Sequence, residues 1–197
     1  MKEMSLTFKI ILLGDSNVGK TSILKRYSED TFSEQQAPTI GLAFYKKVVE
    51  RKNIKITLEI WDTAGQEKFK KIAPIYYRNA QAVLICFDVS KSETLEGAKR
   101  WLEEIDKYLS SDCVKFLVGN KQDKGDFEVD QTFLENNHMK YIQTSAKTGH
   151  NVDKLFRRVA RTLAKTKIKK MESLDQKTII TLQVQGPEEK QKKSLCC

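Results

Sequence analysis

The chain has 197 residues, of which 40% are hydrophobic and 31% charged, and its formal net charge is +9. This length and composition fit one globular domain with a tail, and no apolar run approaches the roughly 20 residues that a membrane-spanning helix needs. The positive charge is spread along the chain, with a net +4 between residues 165 and 197 and no basic stripe interleaved with aromatic side chains, which argues against a nucleic-acid-binding protein.

Apolar runs alternate with helix-period segments, the pattern of repeated βα units that form a mainly parallel sheet. Six strands are predicted in chain order: Phe8–Leu13, Phe44–Glu50, Lys55–Asp62, Ala82–Asp88, Phe116–Gly119 and Tyr141–Thr144. The short connection at 51–54 predicts that the second and third strands form an antiparallel hairpin.

Helices are predicted between these strands. The first runs from Lys20 to about Tyr27, the second carries an apolar stripe from Leu95 to Leu109 after a capping box at Ser90–Glu93, and the last begins after Asn151 as its cap. The helical pattern decays after about Lys167, so we expect a domain at 1–167 and a flexible tail at 168–197. Thr178–Val184 is apolar for a tail, either as a short β-prone patch in a disordered segment or as a docking strip for a partner.

The strongest motif begins where the first strand ends. Gly14–Thr21 matches the phosphate-loop pattern G-x-x-x-x-G-K-[ST] in full, between a predicted strand and a predicted helix. Glycines let the backbone N–H groups approach phosphates closely, Lys20 should reach the β- and γ-phosphates, and the Thr21 hydroxyl should bind Mg²⁺. The candidate phosphate-binding residues are Gly14, Asp15, Ser16, Asn17, Val18, Gly19, Lys20, Thr21 and Ser22.

A second constellation follows the third strand. Asp62 closes that strand, so its carboxylate should project at the ligand-binding edge of the sheet and hold Mg²⁺. Gly65 would let its N–H approach the γ-phosphate, and Gln66 could orient an attacking water because its amide both donates and accepts.

The third constellation points to the base. Asp123, in the motif Asn120–Asp123, offers a carboxylate that fits the adjacent N1–H and 2-amino donors of guanine, whereas adenine would leave it unpaired. Ser145–Lys147 can supply backbone N–H groups to the guanine O6. The candidate base-binding residues are Asn120, Lys121, Asp123, Ser145, Ala146 and Lys147.

From about Thr7 to Ala164 the chain resembles the Ras superfamily, and within it the Rab branch. The nucleotide motifs carry the superfamily resemblance, and the branch resemblance rests on Ile40–Phe44, Leu58–Trp61 and Tyr76–Ala80. The resemblance implies a P-loop G domain: an α/β fold with a six-stranded, mostly parallel sheet, one antiparallel edge strand and helices on both faces. It also implies that Thr39 binds Mg²⁺ and the γ-phosphate, and that Phe32 packs on the guanine.

By the same resemblance, we expect a GTP-hydrolysing switch with Gln66, Lys20 and Thr39 as catalytic residues and Mg²⁺ held by Thr21, Thr39 and Asp62. The implied partners are an exchange factor, a GTPase-activating protein, effectors in vesicle trafficking and a chaperone of prenylated proteins, with the protein itself monomeric. Another Ras-superfamily branch, a GTP-binding module with negligible turnover and an ATP-using P-loop kinase are the alternatives. The guanine-type motif disfavours the kinase, and Gln66 disfavours the inactive module.

The cysteines divide into two kinds. Cys86 and Cys113 lie in or beside apolar segments and are predicted to be buried. Cys196 and Cys197 are adjacent at the end, and in the Rab branch such a pair is a double prenylation site. Because the N-terminal residues carry no secretory signal pattern, we expect a protein on the cytoplasmic face of an intracellular membrane that cycles with the cytosol.

Overall fold

The computed structural model describes residues 4–39, 41–51, 53–63 and 76–184. One sheet holds the strands β1 (Met4–Leu13), β2 (Leu42–Arg51), β3 (Ile54–Thr63), β4 (Ala82–Asp88), β5 (Val114–Asn120) and β6 (Met139–Gln143). Their order is β2-β3-β1-β4-β5-β6, and every neighbouring pair is parallel except β2 and β3. The predicted sheet with its antiparallel edge strand is confirmed.

Helices pack against the sheet, and the alternation of side-chain direction along β1 explains why. Successive side chains of a strand point to opposite faces, so Ile10 and Leu12 join one core cluster while Ile11 and Leu13 join another. The first cluster includes apolar residues of α1 (Lys20–Glu29) and of α4 (Val152–Val184). The second includes residues of α2 (Glu93–Asp106) and of the short α3 (Gln131–Asn136).

The predicted start of α2 is wrong. The helix begins at Glu93 after Ser92, so the expected capping box at Ser90 does not form. Ser90 instead donates to Asp88 Oδ1, through its backbone N at 3.0 Å and its Oγ at 2.7 Å. A buried carboxylate needs hydrogen-bond donors more than an exposed helix end does, because the helix end can use water.

The last helix is longer than the sequence pattern indicates. Apolar periodicity ends near Lys167, but α4 continues to Val184. The added residues include good helix formers, and neither glycine nor proline occurs before Gly186. Thr178–Val184 therefore lies in a helix. Asn151 precedes α4 as predicted, and its carbonyl accepts from Leu155 N at 2.9 Å, but its side-chain amide donates to the Gln143 carbonyl at 3.0 Å.

The chain divides into two compact units, Met1–Ala164 and Lys165–Cys197. The boundary predicted at 167 for the domain itself stays a prediction. None of the helices in the described ranges has the length and apolar character that crossing a membrane requires.

Candidate nucleotide-binding site

A cavity of about 520 Å³ opens at the edge of the sheet where parallel strands end, the place where open α/β sheets bind ligands. It is lined by residues that follow β1, β5 and β6 and by the segment after α1. The predicted residues that line it are Ser16, Asn17, Gly19, Lys20, Thr21, Ser22, Phe32, Thr39, Asn120, Lys121, Asp123, Ala146 and Lys147. Motifs far apart in sequence thus meet at one cavity.

Two positions of the phosphate loop require glycine because other atoms lie where a Cβ would be. Gly14 has φ 134°, and a Cβ there would lie 2.2 Å from the Cys86 carbonyl oxygen. Gly19 has φ 93°, and its Cβ would lie 2.3 Å from Asn120 Nδ2. Any larger residue at these two positions would push the loop away from β4 and β5.

Lys20 is buried within the loop, with 5% of its surface exposed. Its Nζ donates to the carbonyl oxygens of Gly14 and Asp15, each at 2.8 Å. Burial lowers the pKa of the Lys20 ammonium, and the charges of Asp62 and Asp15 offset part of that effect. The loop therefore holds a cation in a place where an anion would be strongly attracted.

Three side-chain oxygens converge beside Lys20. Thr21 Oγ1 donates to Asp62 Oδ2 at 2.6 Å and lies 2.6 Å from Thr39 Oγ1. Asp62 is fully buried, and its Oδ1 has no hydrogen-bond partner among the described residues. Burial raises the pKa of the Asp62 carboxyl, while the Thr21 hydrogen bond and the Lys20 charge act in the opposite direction.

These oxygens fit a hard divalent cation. Mg²⁺ is typically held by one or two carboxylates together with substrate phosphates and waters. Asp62 supplies one buried carboxylate, whose Oδ1 makes no hydrogen bond to a described residue, and Thr21 and Thr39 supply hydroxyls. Within the described ranges, no group of three or more His, Cys, Asp or Glu residues could hold a metal ion.

Asn120 ties the two halves of the cavity together. Its Nδ2 donates to the Val18 carbonyl at 2.9 Å, which reaches into the phosphate loop. Its Oδ1 accepts from Ala146 N at 3.2 Å and from Thr144 Oγ1 at 3.3 Å, at the start of the segment after β6. With 1% of its surface exposed, Asn120 is a buried side chain that joins the two loops by hydrogen bonds.

The two charged residues after Asn120 are also held in place. Asp123 is exposed, and its Oδ1 accepts from Ser145 Oγ at 2.5 Å. Lys121 has φ 67°, and its Nζ lies 2.7 Å from Asp88 Oδ2. Both side chains are therefore oriented by neighbours before any ligand enters.

The family model of the Ras family matches residues 9–165. The chain belongs to the Ras family, among small GTPases of the Rab type. GTP-binding protein YPTM1 of Zea mays is 36% identical over 203 residues, which cover 99% of this chain and 98% of that protein. Ras-related protein Rab-1 of Theileria annulata is 44% identical over 169 residues, 83% of this chain and 77% of its own. GTP-binding protein YPT1 of Saccharomyces cerevisiae is 42% identical over 164 residues, 81% and 80% of the two chains.

Membership of the Ras family brings its general activity with it. Ras and Rab proteins are GTP hydrolases that work as nucleotide-dependent switches, and they use Mg²⁺ with the nucleotide. The predicted fold class and the resemblance to Rab-type GTPases are confirmed.

The structure adds residues to the site of this Rab-type GTPase that the motifs did not indicate. Asp88 closes β4 with 1% of its surface exposed and holds Lys121; the rule that singled out Asp62 at the end of β3 could have found it. Arg26 of α1 donates to the carbonyls of Ala146 and Lys147, each at 2.9 Å. An arginine in an amphipathic helix gives no sequence signal for such a contact.

Nine predicted residues of this Rab-type GTPase are absent from the cavity lining. Gly65 and Gln66 lie outside the described residues, as does the pair Cys196 and Cys197. Gly14, Asp15, Val18, Asp62 and Ser145 are described but do not line the cavity; they support the residues that do.

Proposed function

We propose that this chain binds GTP and GDP in the cavity described above, hydrolyses GTP, and recruits effectors in vesicle trafficking when it carries GTP. The convergence of Lys20, Thr21, Thr39 and Asp123 on one cavity carries this proposal, together with Asp62, which accepts a hydrogen bond from Thr21 behind the lining. Lys20 supplies a positive charge for the phosphates, the three oxygens suit a hard divalent cation, and Asp123 supplies a carboxylate for the base.

The phosphates lie along the loop from Gly14 to Ser22. Lys20 Nζ donates to phosphate oxygens, either in place of the Gly14 and Asp15 carbonyls or in addition to them. The backbone N–H groups at the N-terminus of α1 point at the same negatively charged phosphates. Because Lys20 is already desolvated in the loop, little reorganisation accompanies binding.

Thr21, Thr39 and Asp62 would hold the divalent cation. Mg²⁺, when bound, supplies charge neutralisation for the β- and γ-phosphate oxygens. The burial of Asp62 has a clear function under this proposal, because a cation compensates a carboxylate that lacks a hydrogen bond on one oxygen. Thr39 belongs to the segment that joins α1 to β2, so its bond to this cluster would order that segment when the γ-phosphate is present.

Asp123 selects guanine. Its carboxylate accepts from two adjacent donors of the base, while Ser145 Oγ fixes its orientation and Phe32 packs against the ring. Asn120, Lys121, Ala146 and Lys147 complete this end of the cavity.

Displacement of a fluorescent GDP analogue tests base selection. Unlabelled GDP and GTP should displace it far better than ATP. Asp123→Asn should lose affinity for GDP and gain affinity for xanthosine diphosphate, since an amide matches a 2-oxo group better than a carboxylate does. Equal displacement by ATP and GDP would refute the assignment of Asp123.

Gln66 orients the attacking water in hydrolysis. None of the described residues that line the cavity is an arginine, so we expect slow intrinsic turnover that a partner's arginine would accelerate by about 10³–10⁵. In single-turnover assays, Gln66→Leu should bind GTP normally and hydrolyse it much more slowly than the parent. If the parent shows no turnover even with an activating protein, the chain is a binding module.

Membrane attachment follows from the cysteine pair. We infer that Cys196 and Cys197 are both geranylgeranylated, that a chaperone of prenylated proteins carries the soluble form, and that exchange factor and activating protein meet the chain at the cytoplasmic face of an intracellular membrane. One lipid chain gives only marginal, reversible binding, which is the physical reason for two. Intact-mass analysis of native protein should show two isoprenoid groups, and Cys196→Ser/Cys197→Ser should lose membrane association.

A further inference from the structure

A side chain of the phosphate loop leaves the cavity and contacts helix α2. Asp15 follows Gly14 in the loop, yet it does not line the cavity. Its Oδ1 accepts a hydrogen bond from Trp101 Nε1 at 2.9 Å, across 86 positions of the sequence. The loop is therefore attached to a helix that has no residue in the cavity lining.

Helix α2 has a gap that admits this carboxylate. Gly97 lies one turn before Trp101 and so on the same face of the helix. A Cβ at Gly97 would lie 1.9 Å from Asp15 Oδ2 and 2.7 Å from its Cγ. Glycine costs stability inside a helix relative to alanine, and this close approach is what its presence permits.

The same loop residue also holds the catalytic lysine. The Asp15 carbonyl oxygen accepts from Lys20 Nζ at 2.8 Å. The backbone of Asp15 thus faces the lysine while its side chain faces α2. A shift of the Asp15 side chain would therefore move the carbonyl that accepts from Lys20.

Trp101 is placed firmly enough to act as an anchor. It has 5% of its surface exposed and lies in the core cluster that also contains Ile11 and Leu13, the last residues of β1 on that face. The strand that leads into the loop and the indole that holds Asp15 are therefore parts of one packed core.

We propose that Trp101 is a positioning residue for the phosphate loop, acting through Asp15, and that Gly97 provides the space for this contact. The proposal rests on the proposed function, because it concerns the loop that would hold the phosphates of GDP and GTP. Loss of the contact lets the Asp15 peptide and Lys20 move away from the phosphates, so bound nucleotide is released faster.

The test is the release of fluorescent GDP from the full chain with Mg²⁺, chased with excess unlabelled GDP. Trp101→Phe removes the N–H donor and keeps most of the ring volume, and Gly97→Ala fills the gap. Each should release GDP roughly tenfold faster than the parent, within the range that a hydrogen bond to a charged group can account for. Ile105→Val is the matched control, since Ile105 is buried in the same cluster one turn further along α2. It should lower thermal stability and leave the release rate unchanged.

Combined variants separate positioning from a general loss of structure. In an Asp15→Ala background, Trp101→Phe and Gly97→Ala should each change release by less than about twofold, because the contact is already gone. Asp15→Asn, which keeps an acceptor for the indole, should release GDP more slowly than Asp15→Ala. If Trp101→Phe fails to fold, Gly97→Ala still provides the test, since alanine favours the helix.

Parent-like release from Trp101→Phe and Gly97→Ala would overturn the proposal, and so would additive effects in the Asp15→Ala background. A parent chain that does not retain GDP would instead overturn the proposed function. The two failures are therefore distinguishable in one assay.

Discussion

At the scale of single residues, two buried aspartates show how the surroundings of a carboxylate determine its role. Asp62 is the last residue but one of β3 and Asp88 is the last residue of β4, with 0% and 1% of their surfaces exposed. One oxygen of Asp62 has no hydrogen-bond partner in the part of the chain that the structure describes, and burial is the main cause of its raised pKa. Burial would also raise the pKa of Asp88, but hydrogen bonds from Lys121 and Ser90 outweigh it and leave that pKa lowered. The first carboxylate is suited to a cation and the second to structure.

Asp88→Asn should lower the free energy of unfolding by about 1–3 kcal/mol at pH 7, because the ion pair with Lys121 is lost and the hydrogen bonds from Ser90 lose their charge assistance. A carboxyl group whose folded pKa is lowered stabilises the fold fully above its ordinary value of about 4, and this contribution disappears as pH falls through the folded pKa. The difference between parent and variant should therefore narrow below about pH 4. Urea unfolding followed by tryptophan fluorescence from pH 7 to 3 measures it, and a difference that stays constant over this range would contradict the assignment.

An exposed ion pair crosses the mouth of the cavity and gives a second prediction. Lys147 Nζ lies 2.7 Å from Glu34 Oε1, and both residues line the cavity. The hydrogen bond and charge of Lys147 lower the pKa of Glu34. Exposed pairs contribute little to stability and are screened by salt. Glu34→Gln should release GDP about twofold to threefold faster at 20 mM salt, on the order that such a pair allows, and at the parent rate in 1 M salt.

The control for this prediction is Glu96→Gln. Glu96 forms an exposed ion pair of the same length, 2.7 Å, with Lys99 on α2, and neither residue lines the cavity. Release from Glu96→Gln should match the parent at both salt concentrations. Equal acceleration by the two variants would show that net charge, rather than the Glu34–Lys147 pair, controls release.

At the scale of helices and strands, ends are decided by local hydrogen bonds. Asp130 caps α3, and its Oδ1 accepts from Thr132 N at 2.9 Å. Ser92 occupies the corresponding position of α2, but its side chain makes no capping bond. The identity of a capping residue therefore does not tell by itself whether it caps.

Substitutions at these two N-cap positions form a matched pair of variants. Asp130→Ala should lower the free energy of unfolding by about 0.5–2 kcal/mol, since an N-cap acceptor is removed from a short helix. Ser92→Ala should change it by less than about 0.5 kcal/mol, as is usual for surface substitutions. Urea unfolding at fixed GDP concentration measures both, and the reverse order would contradict the assigned capping bonds.

The elements that could be predicted from the sequence are those with a strong pattern. β4 was bounded correctly because Ala82–Asp88 is buried throughout and reads as one apolar run. β1 extends back to Met4, beyond the predicted Phe8. Its first half alternates between buried and exposed residues, which is a weaker strand pattern than the continuous apolar run on which the prediction rests. The phosphate-loop and base motifs could be read from short spacings, whereas Trp101 and Arg26 act through contacts to residues 86 and 120 positions away. No local pattern encodes contacts of that kind.

At the scale of the whole molecule, the sheet gathers every described part of the site at one edge. β1, β3, β4 and β5 are neighbours and parallel, so the segments that follow them emerge side by side. Gly14, Asp62, Asp88 and Asn120 stand at or just after the ends of these four strands. The fold therefore assembles a polar site at one edge of the sheet, where the buried Asp62, Asp88 and Asn120 lie at strand ends.

Removal of Mg²⁺ provides a prediction at this scale. Excess EDTA should accelerate GDP release by at least about tenfold, because the unpartnered Asp62 oxygen and the phosphates would then face each other without a cation. Thr21→Ala should already release GDP quickly with Mg²⁺ present and respond less to EDTA, since one of the three oxygens is missing. Release that is insensitive to EDTA in the parent would argue against a cation at the Thr21–Thr39–Asp62 cluster.

The cavity of about 520 Å³ exists only when the strands and loops around it are in place. A nucleotide that fills it therefore binds the native state and not the unfolded chain, and by mass action each tenfold rise of free GDP above its dissociation constant adds about 1.4 kcal/mol to the free energy of unfolding. The melting temperature of this chain is thus a function of ligand concentration rather than a constant. An exchange factor that empties the cavity also removes that share of the stability, and the partner must compensate for it through its own contacts while the cavity is empty.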